Sequence, residues 1–386
     1  MSIHTDIPID PAIWLRRKAP DGPVFFFSAK TLATTAAQFQ QGFPGEVTYA
    51  VKANSMHEVL QTLSGAGMQA FDVASPVEMA QVRAVNPNAR LHYHNPIRSN
   101  AEIREAESFG ITSWSIDRAS ELDKLGAIAG QEIAVRLKLP VKGAAYDFGD
   151  KFGAEPEAAI ALLRTAQARG AVTSMTFHPG TQCDDPAPWQ RYITACAEIA
   201  GRAGVRLTRL NVGGGFAAFR GAIPPDLGEV FRGIGQTVRE AFGNSPPQLV
   251  CEPGRAMVAE AFTLALQVKA VSGEAVVLND GLYGSLMEWR DLPPSQRIRV
   301  LGPEGRQRRG QPAPKIVFGP TCDSLDRLPA PLPLPDDLQD GDYLLIDAMG
   351  AYSQCLSTGF NGYGTALVVP TDQQSRRVAG HWRRAI

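Results

Sequence analysis

Residues 47–95, VTYAVKANSMHEVLQTLSGAGMQAFDVASPVEMAQVRAVNPNARLHYHN, state one phrase twice and begin it a third time. A short run rich in β-branched and aromatic residues leads into a polar or glycine-containing turn. A stretch with apolar residues three and four apart follows, which is the alternation of a strand and an amphipathic helix. VTYAVK (Val47–Lys52), QAFDVA (Gln69–Ala74) and RLHYHN (Arg90–Asn95) are strands on this reading. Ser75-Pro76-Val77-Glu78 marks a helix start, with Ser as N-cap, Pro as first helical residue and Glu as the returning arm of a capping box.

Five more runs continue the pattern: TSWSID (Thr112–Asp117), IAVRLK (Ile133–Lys138), TSMTFH (Thr173–His178), RLNVG (Arg209–Gly213) and QLVCE (Gln248–Glu252). Gly110 and Gly170 each close a helical stretch before a strand, as a left-handed helix stop does. Eight alternations predict a (β/α)8 barrel, whose usual size is roughly 250 residues; a doubly wound open sheet carries the same alternation. After about residue 257 the texture changes to strand-like runs separated by Gly/Pro-rich turns: TLALQVKAV, EAVVLND, RIRVLG, PKIVFG, DYLLID and TALVVP. The expected organisation is a barrel over residues 30–256, with 1–29 and 257–386 forming a second, mostly β domain. Leu328–Asp340, LPAPLPLPDDLQD, reads as a Pro-rich surface connection.

Composition narrows the partners. Across 386 residues, 38 Lys+Arg stand against 39 Asp+Glu for a net charge of -1, so the overall field attracts neither nucleic acid nor an anionic membrane. Small molecules or proteins are the expected partners. Cys183, Cys196, Cys251, Cys322 and Cys355 are odd in number, scattered and free of any C-x-x-C pair, which suits reduced thiols and a cytoplasmic location. The N-terminus lacks an apolar signal core, and no apolar run reaches the roughly 18 residues that span a bilayer.

In such a barrel the active site lies at the C-terminal ends of the strands. The polar residues there are Lys52, Asp72 with Ser75, Asn95, Asp117, Arg136 with Lys138, His178, the Gly213-Gly214-Gly215 turn, and Glu252 with Gly254-Arg255. Glycines let backbone N–H groups approach an anion, and an arginine soon after adds charge; both follow strands 7 and 8, where barrels commonly hold a phosphate. Singly, each residue has an ordinary explanation: a strand-end lysine snorkels, Glu78 caps a helix, and Glu252 pairs with a cation. His92 and His94 share a strand face, yet the pattern places no third ligand, so no metal site is expected.

The whole set resembles the fold-type-III pyridoxal-phosphate decarboxylases, which include ornithine, diaminopimelate and arginine decarboxylases and share their barrel with alanine racemase. The matching segments run in family order: YAVKAN (Tyr49–Asn54), FDVAS with Glu78, FHPGTQ (Phe177–Gln182), GGGF (Gly213–Phe216), EPGR (Glu252–Arg255), NDGLYGS (Asn279–Ser285), GPTCDSLD (Gly319–Asp326), GAY (Gly350–Tyr352) and FNGY (Phe360–Tyr363). GPTCDSLD and FNG look most like the ornithine decarboxylase branch.

The resemblance implies pyridoxal 5'-phosphate as cofactor, joined to Lys52 as a Schiff base, with His178 stacked on the ring and Glu252 on the ring nitrogen. It places the phosphate on Gly213, Gly214 and Gly215 with Thr181, Gly254, Arg255 and Tyr352, and it lines the pocket with Asp72 and Arg136. It further implies a homodimer with shared active sites, in which Cys322 returns the proton after CO2 departs and Asp323 binds the distal amine of the substrate. The family's valine after the stacking histidine is Pro179 here, and its phosphate-contacting serine is Thr181. The segment after NDGLYGS reads LMEWRDLPP, so Glu288 or Asp291 could meet a substrate amine, Arg290 a carboxylate, and Phe360 the substrate's body. Ornithine is the expected substrate; lysine, meso-diaminopimelate, racemisation and a silent regulatory homologue are the alternatives.

Overall fold

The computed structural model describes residues 8–111, 113–139, 151–372 and 375. Its first ten strands are β1 (Val24–Phe27), β2 (Glu46–Val47), β3 (Tyr49–Ala50), β4 (Ala70–Val73), β5 (Arg90–Tyr93), β6 (Ser113–Ile116), β7 (Glu132–Leu137), β8 (Val172–Phe177), β9 (Arg209–Asn211) and β10 (Gln248–Cys251). The remainder are β11 (Phe262–Ser272), β12 (Ala275–Leu278), β13 (Ile298–Leu301), β14 (Pro312–Phe318), β15 (Leu332–Pro335), β16 (Tyr343–Asp347) and β17 (Leu367–Pro370). The chain divides into two compact units, one of Thr35–Ala217 with Pro225–Met257, the other of Met1–Thr34, Ala218–Pro224 and Val258–Ile386. No helix among the described residues is long and apolar enough to cross a membrane.

In the first unit β3 to β10 pair in chain order, every pairing parallel, and β2 pairs with β10. β2 and β3 are halves of one strand interrupted at Thr48. Val47 is in register with Cys251 on one side and Tyr49 with Phe71 on the other, while the Thr48 N–H donates to the Cys251 carbonyl at 2.9 Å. The sheet therefore closes on itself, which rules out the open doubly wound alternative and establishes the barrel. Each of the eight expected runs coincides with a strand, but the pairing stops short of the expected end. Lys52 lies beyond β3 in the short turn Val51–Ala53, and His178 and Glu252 each follow the last residue of their strands. The chain peels away from the ladder where it presents side chains at the mouth.

The helix starts follow from local chemistry. Ser75 caps Pro76–Val85 by accepting from the Glu78 N–H at 3.4 Å, and Glu78 reaches back to the Ala74 N–H at 2.7 Å. Gly110 and Gly170 have φ of 76° and 77°, the left-handed stop their positions suggest. At the N-terminal ends of the strands, Glu46 accepts from Arg90 and lies 3.6 Å from Arg209, which also meets Glu132 at 3.3 Å. These charges tie strands together at the face opposite the mouth, where residues serve stability.

In the second unit one sheet runs β13-β16-β11-β12-β14-β15, with β1 placed between β11 and β17. Its core gathers Leu15, Val24, Phe26, Ala265, Leu301, Tyr343, Leu345 and Val369. Two features depart from the sequence reading. VFFF (Val24–Phe27) is a fully buried strand, and part of LPAPLPLPDDLQD is no connection but the strand β15, antiparallel to β14. The physical reason is the alternation LPLP: Leu332 and Leu334 are buried, and Pro333 and Pro335, which alternate with them, are tolerated on an edge strand whose outer side needs no donor. Leu334→Ala should lower the unfolding free energy by about 2–4 kcal/mol in urea denaturation, whereas Pro333→Ala, on the exposed face, should change it by under about 1 kcal/mol.

Candidate active site

The mouth of the barrel collects charge at close quarters. Lys52 Nζ lies 3.8 Å from Oδ2 of Asp72, at the end of β4. Asp72 is buried, and its Oδ1 has no hydrogen-bond partner among the described residues. Glu252 uses Oε1 for two contacts, His94 Nδ1 at 2.5 Å and the Asn211 side-chain N–H. The nearest polar atoms of Asp72, His94 and Glu252 all lie within 4.8 Å of one another. After β8, the Gly180 N–H donates to His178 Nδ1 at 3.2 Å, which leaves the proton of a neutral His178 on Nε2.

Burial and neighbouring charge set the protonation of these groups apart. Burial opposes an ionised Glu252, but the charge and hydrogen bond of His94, with Lys52 and Asn211, bring its pKa down to about 2. Asp72 is pushed up to about 7 by burial and then by Glu252, against the pull of Lys52 and His94. His178 is driven down to about 3 by burial and by the positive charges of Lys52 and Arg136, so its ring is neutral. The half-buried Arg136 is lowered by desolvation, partly offset by Glu252, Asp72 and Asp117. One carboxylate is thus kept ionised while its neighbour keeps a proton to near neutrality.

The triple glycine is fixed by packing. Gly213 has φ 70°, and a Cβ there would strike the Phe177 carbonyl; one on Gly214 would sit 2.7 Å from the Glu252 carbonyl, and one on Gly215, φ 88°, 2.7 Å from that of Gly180. Asn211 ties this turn to the carboxylate: its Oδ1 accepts from the Gly213 N–H at 2.9 Å while its amide donates to Glu252. The Glu252 N–H in turn donates to the Gly213 carbonyl at 2.8 Å. Thr181 and Arg255 are buried.

Residues 29–259 match the family described as "Pyridoxal-dependent decarboxylase, pyridoxal binding domain". The chain is 33% identical over 344 residues to the chloroplastic ornithine decarboxylase of Nicotiana glauca, spanning 83% of this chain and 77% of that one. It is 29% identical over 344 residues to the lysine/ornithine decarboxylase of Selenomonas ruminantium, spanning 86% and 85%. It also superposes on the crystal structure of lysine decarboxylase from Selenomonas ruminantium with a TM-score of 0.81, at 27% identity over 97% of this chain and 100% of that chain. The chain belongs to the pyridoxal-dependent decarboxylases. It is an amino-acid decarboxylase, and its cofactor is pyridoxal 5'-phosphate. The barrel mouth fits that group: a glycine turn too closely packed to bear a Cβ, with its Gly213 N–H taken by Asn211, a neutral imidazole, a carboxylate held ionised, a buried acid with an unused oxygen, and a lysine amine.

The remaining candidates of this decarboxylase belong to the other unit: Glu288, Arg290, Asp291, Cys322, Asp323, Tyr352 and Phe360. The loop with Cys322 and Asp323 is built around buried Asp326, which accepts from the N–H groups of Leu282 and Thr321 and from the Thr321 hydroxyl. On it Cys322 is exposed, and its N–H donates to Asn361 Oδ1 at 3.1 Å. Asp323 accepts from the Tyr283 hydroxyl at 2.5 Å and the Leu325 N–H at 2.9 Å, and these bonds hold its pKa below the usual carboxylate value. Phe360 packs against the Tyr283 ring, tilted by 39° with centroids 4.9 Å apart. Glu288 lies 3.8 Å from buried Arg220, whereas the exposed Arg290 and Asp291 pair with each other at 2.9 Å. Tyr352 takes φ 53°.

Two residues of the site escape the sequence reading. His94 is visible there only as half of a histidine pair, and Asn211 only as a polar residue inside a strand. The pair is in fact divided: His92 faces Glu46 at 3.9 Å, while His94 faces Glu252. The only signal available was that a polar side chain on the inward face of a barrel strand must find a partner across the barrel.

The raised pKa of Asp72 has a consequence for stability. Folding lifts it from 3.8 to about 7, so the folded chain keeps a proton that the unfolded chain releases. The contribution is fully present below the unfolded value and is lost as pH rises through the folded one. In the cofactor-free full chain, Asp72→Asn should therefore remove part of the decline in unfolding free energy between about pH 4 and pH 7, read from urea denaturation across that range.

Proposed function

We propose that this protein is a homodimeric decarboxylase of a basic amino acid, with L-ornithine going to putrescine and CO2 as the leading reaction. The observation that carries the reading is Asp323: an ionised carboxylate on a braced loop, beside an exposed thiol, whose hydrogen-bond donors are both neutral. A distal ammonium supplies the positive charge that such a carboxylate lacks. The relatives named above as ornithine and lysine/ornithine decarboxylases support the class. Arg290, the group that would favour a distal carboxylate, already faces Asp291, which weakens the diaminopimelate alternative; with Glu288 facing Arg220, Asp323 is the acid left for a distal amine.

In this reading Lys52 would hold the cofactor's aldehyde end, the amides of Gly214 and Gly215 with Thr181, Gly254, Arg255 and Tyr352 would hold its phosphate, the Gly213 N–H being committed to Asn211 instead, and neutral His178 would lie against its ring. Asp72 and Arg136 line the same pocket. Glu252, kept ionised, accepts the hydrogen bond of the protonated ring nitrogen. The bound cofactor supplies the electron sink that takes up the pair left by the departing CO2. Cys322, from the second unit of the partner chain, gives its thiol proton to the substrate carbon and regains one from solvent. Asp323 of the same loop fixes the distal amine and so orients the carboxylate to be lost.

A panel of amino acids incubated with the holoenzyme should release CO2 and a diamine, ornithine ahead of lysine. Asp323→Ala should lower kcat/KM for the diamine-forming reaction by a factor on the order of 10² while cofactor absorbance stays normal. If diaminopimelate outruns ornithine, and Arg290→Ala rather than Asp323→Ala abolishes the preference, the substrate assignment is wrong and the reaction class stands. Mixing inactive Lys52→Ala and Cys322→Ala chains should restore up to about a quarter of the activity, since half of random dimers are hybrids with one intact site of two. No recovery after verified subunit exchange would contradict the shared site.

A further inference from the structure

Glu252 is not held by Asn211 alone. The amide of Asn211 is oriented by the Gly213 N–H on its Oδ1, which turns its nitrogen toward Glu252 Oε1 and His94 Nδ1. His94 Nδ1 lies 2.5 Å from the same carboxylate oxygen and 2.9 Å from the Asn211 amide nitrogen; at the shorter separation two lone pairs would repel, and the amide has Oε1 to donate to, so Nδ1 carries a proton. The other ring nitrogen meets the Ser113 hydroxyl at 3.2 Å, and a hydroxyl serves equally as donor or acceptor. Whether Nε2 is also protonated is therefore decided by charge. The titratable groups facing the ring are Glu252 from the end of β10, Asp72 from β4, Glu132 from β7 and His92 on its own strand. Burial disfavours a charged His94, but Glu252, then Asp72 and Glu132, outweigh it and raise its pKa, while His92 is driven down to about 3 and carries no competing charge.

We propose that His94 is a positioning residue of the reaction: as an imidazolium it shares Oε1 of Glu252 with Asn211, keeps that carboxylate ionised, and leaves Oε2 for the ring nitrogen of the cofactor. The inference rests on the reading of Glu252 given above. It assigns a chemical reason to a histidine that the barrel could otherwise fill with an apolar side chain. A formal positive charge behind Glu252 weakens it as a base while fixing its direction, so His94 sets how firmly the ring nitrogen's proton is held.

The test uses the full-length chain labelled with 15N-histidine, first without cofactor. The His94 ring signals are identified by their loss in His94→Gln, and His94→Asn replaces that variant if it does not fold. Both ring nitrogens of His94 should be protonated at pH 7.5, a unit above the ordinary histidine pKa of about 6.5, and Glu252→Gln should return the ring to the neutral form. A neutral His94 at that pH, or a titration indifferent to Glu252→Gln, would overturn the proposal. In the holoenzyme, His94→Gln should shift the pH dependence of the cofactor's visible absorbance and lower kcat by roughly 10- to 100-fold with KM nearly unchanged, the range expected for losing a charge-assisted hydrogen bond. Wild-type absorbance and kcat in His94→Gln would also overturn it. Failure of the underlying reading has a different signature, because Glu252→Gln would then leave both absorbance and kcat at wild-type values.

Discussion

An ionised carboxylate inside a closed barrel is the constraint around which this site is organised. Burial alone would hold Glu252 protonated. Its ionisation at a pKa near 2 depends on donors and positive charge converging from separate strands: His94 beyond β5, Asn211 at the end of β9, and Lys52 beyond β3. The requirement reaches the backbone, because Asn211 can aim its amide at Glu252 only while its oxygen holds the Gly213 N–H. The conformation of the glycine turn and the charge state of the carboxylate are therefore set by one hydrogen-bonded chain. The same field explains why Asp72, a few ångströms away, goes the other way: a second full negative charge beside Glu252 is what burial resists most.

How much of this the sequence discloses follows from what periodicity encodes. Strand-helix alternation repeats locally, so the barrel and its eight strand positions are legible from runs such as VTYAVK and QAFDVA. The residues that end those runs are legible as a site because barrel geometry brings strand ends to one mouth without any knowledge of register. His94 and Asn211 lie elsewhere. Their partner is Glu252, and which inward side chain meets which across a barrel depends on the stagger of the strands, a property of the closed sheet that no spacing along the chain records. The strand β15 was hidden for the opposite reason: its local signal, proline at alternate positions, is that of a loop, and only the pairing with β14 shows it to be an edge.

The acidic residues of the second unit differ in how their charge is met. Asp326 is buried and satisfied by three donors that brace its loop. Glu288 lies beside the guanidinium of Arg220, and Asp291 beside that of Arg290, so the charge of each is already met. Asp323 stands apart, because the Tyr283 hydroxyl and the Leu325 N–H orient it and favour its ionised form without cancelling its charge. A loop so held, carrying a negative group next to an exposed thiol, suits the proposed substrate, whose distal end is cationic. A distal carboxylate would meet repulsion there, and a distal alkyl group would leave Asp323 desolvated without a counter-charge. In the function proposed above, reaction class and substrate choice rest on separate electrostatic devices, a compensated cluster in the barrel and, on the β loop, a carboxylate without a cationic partner among the described residues, so that a change of substrate would be made at the second without disturbing the first.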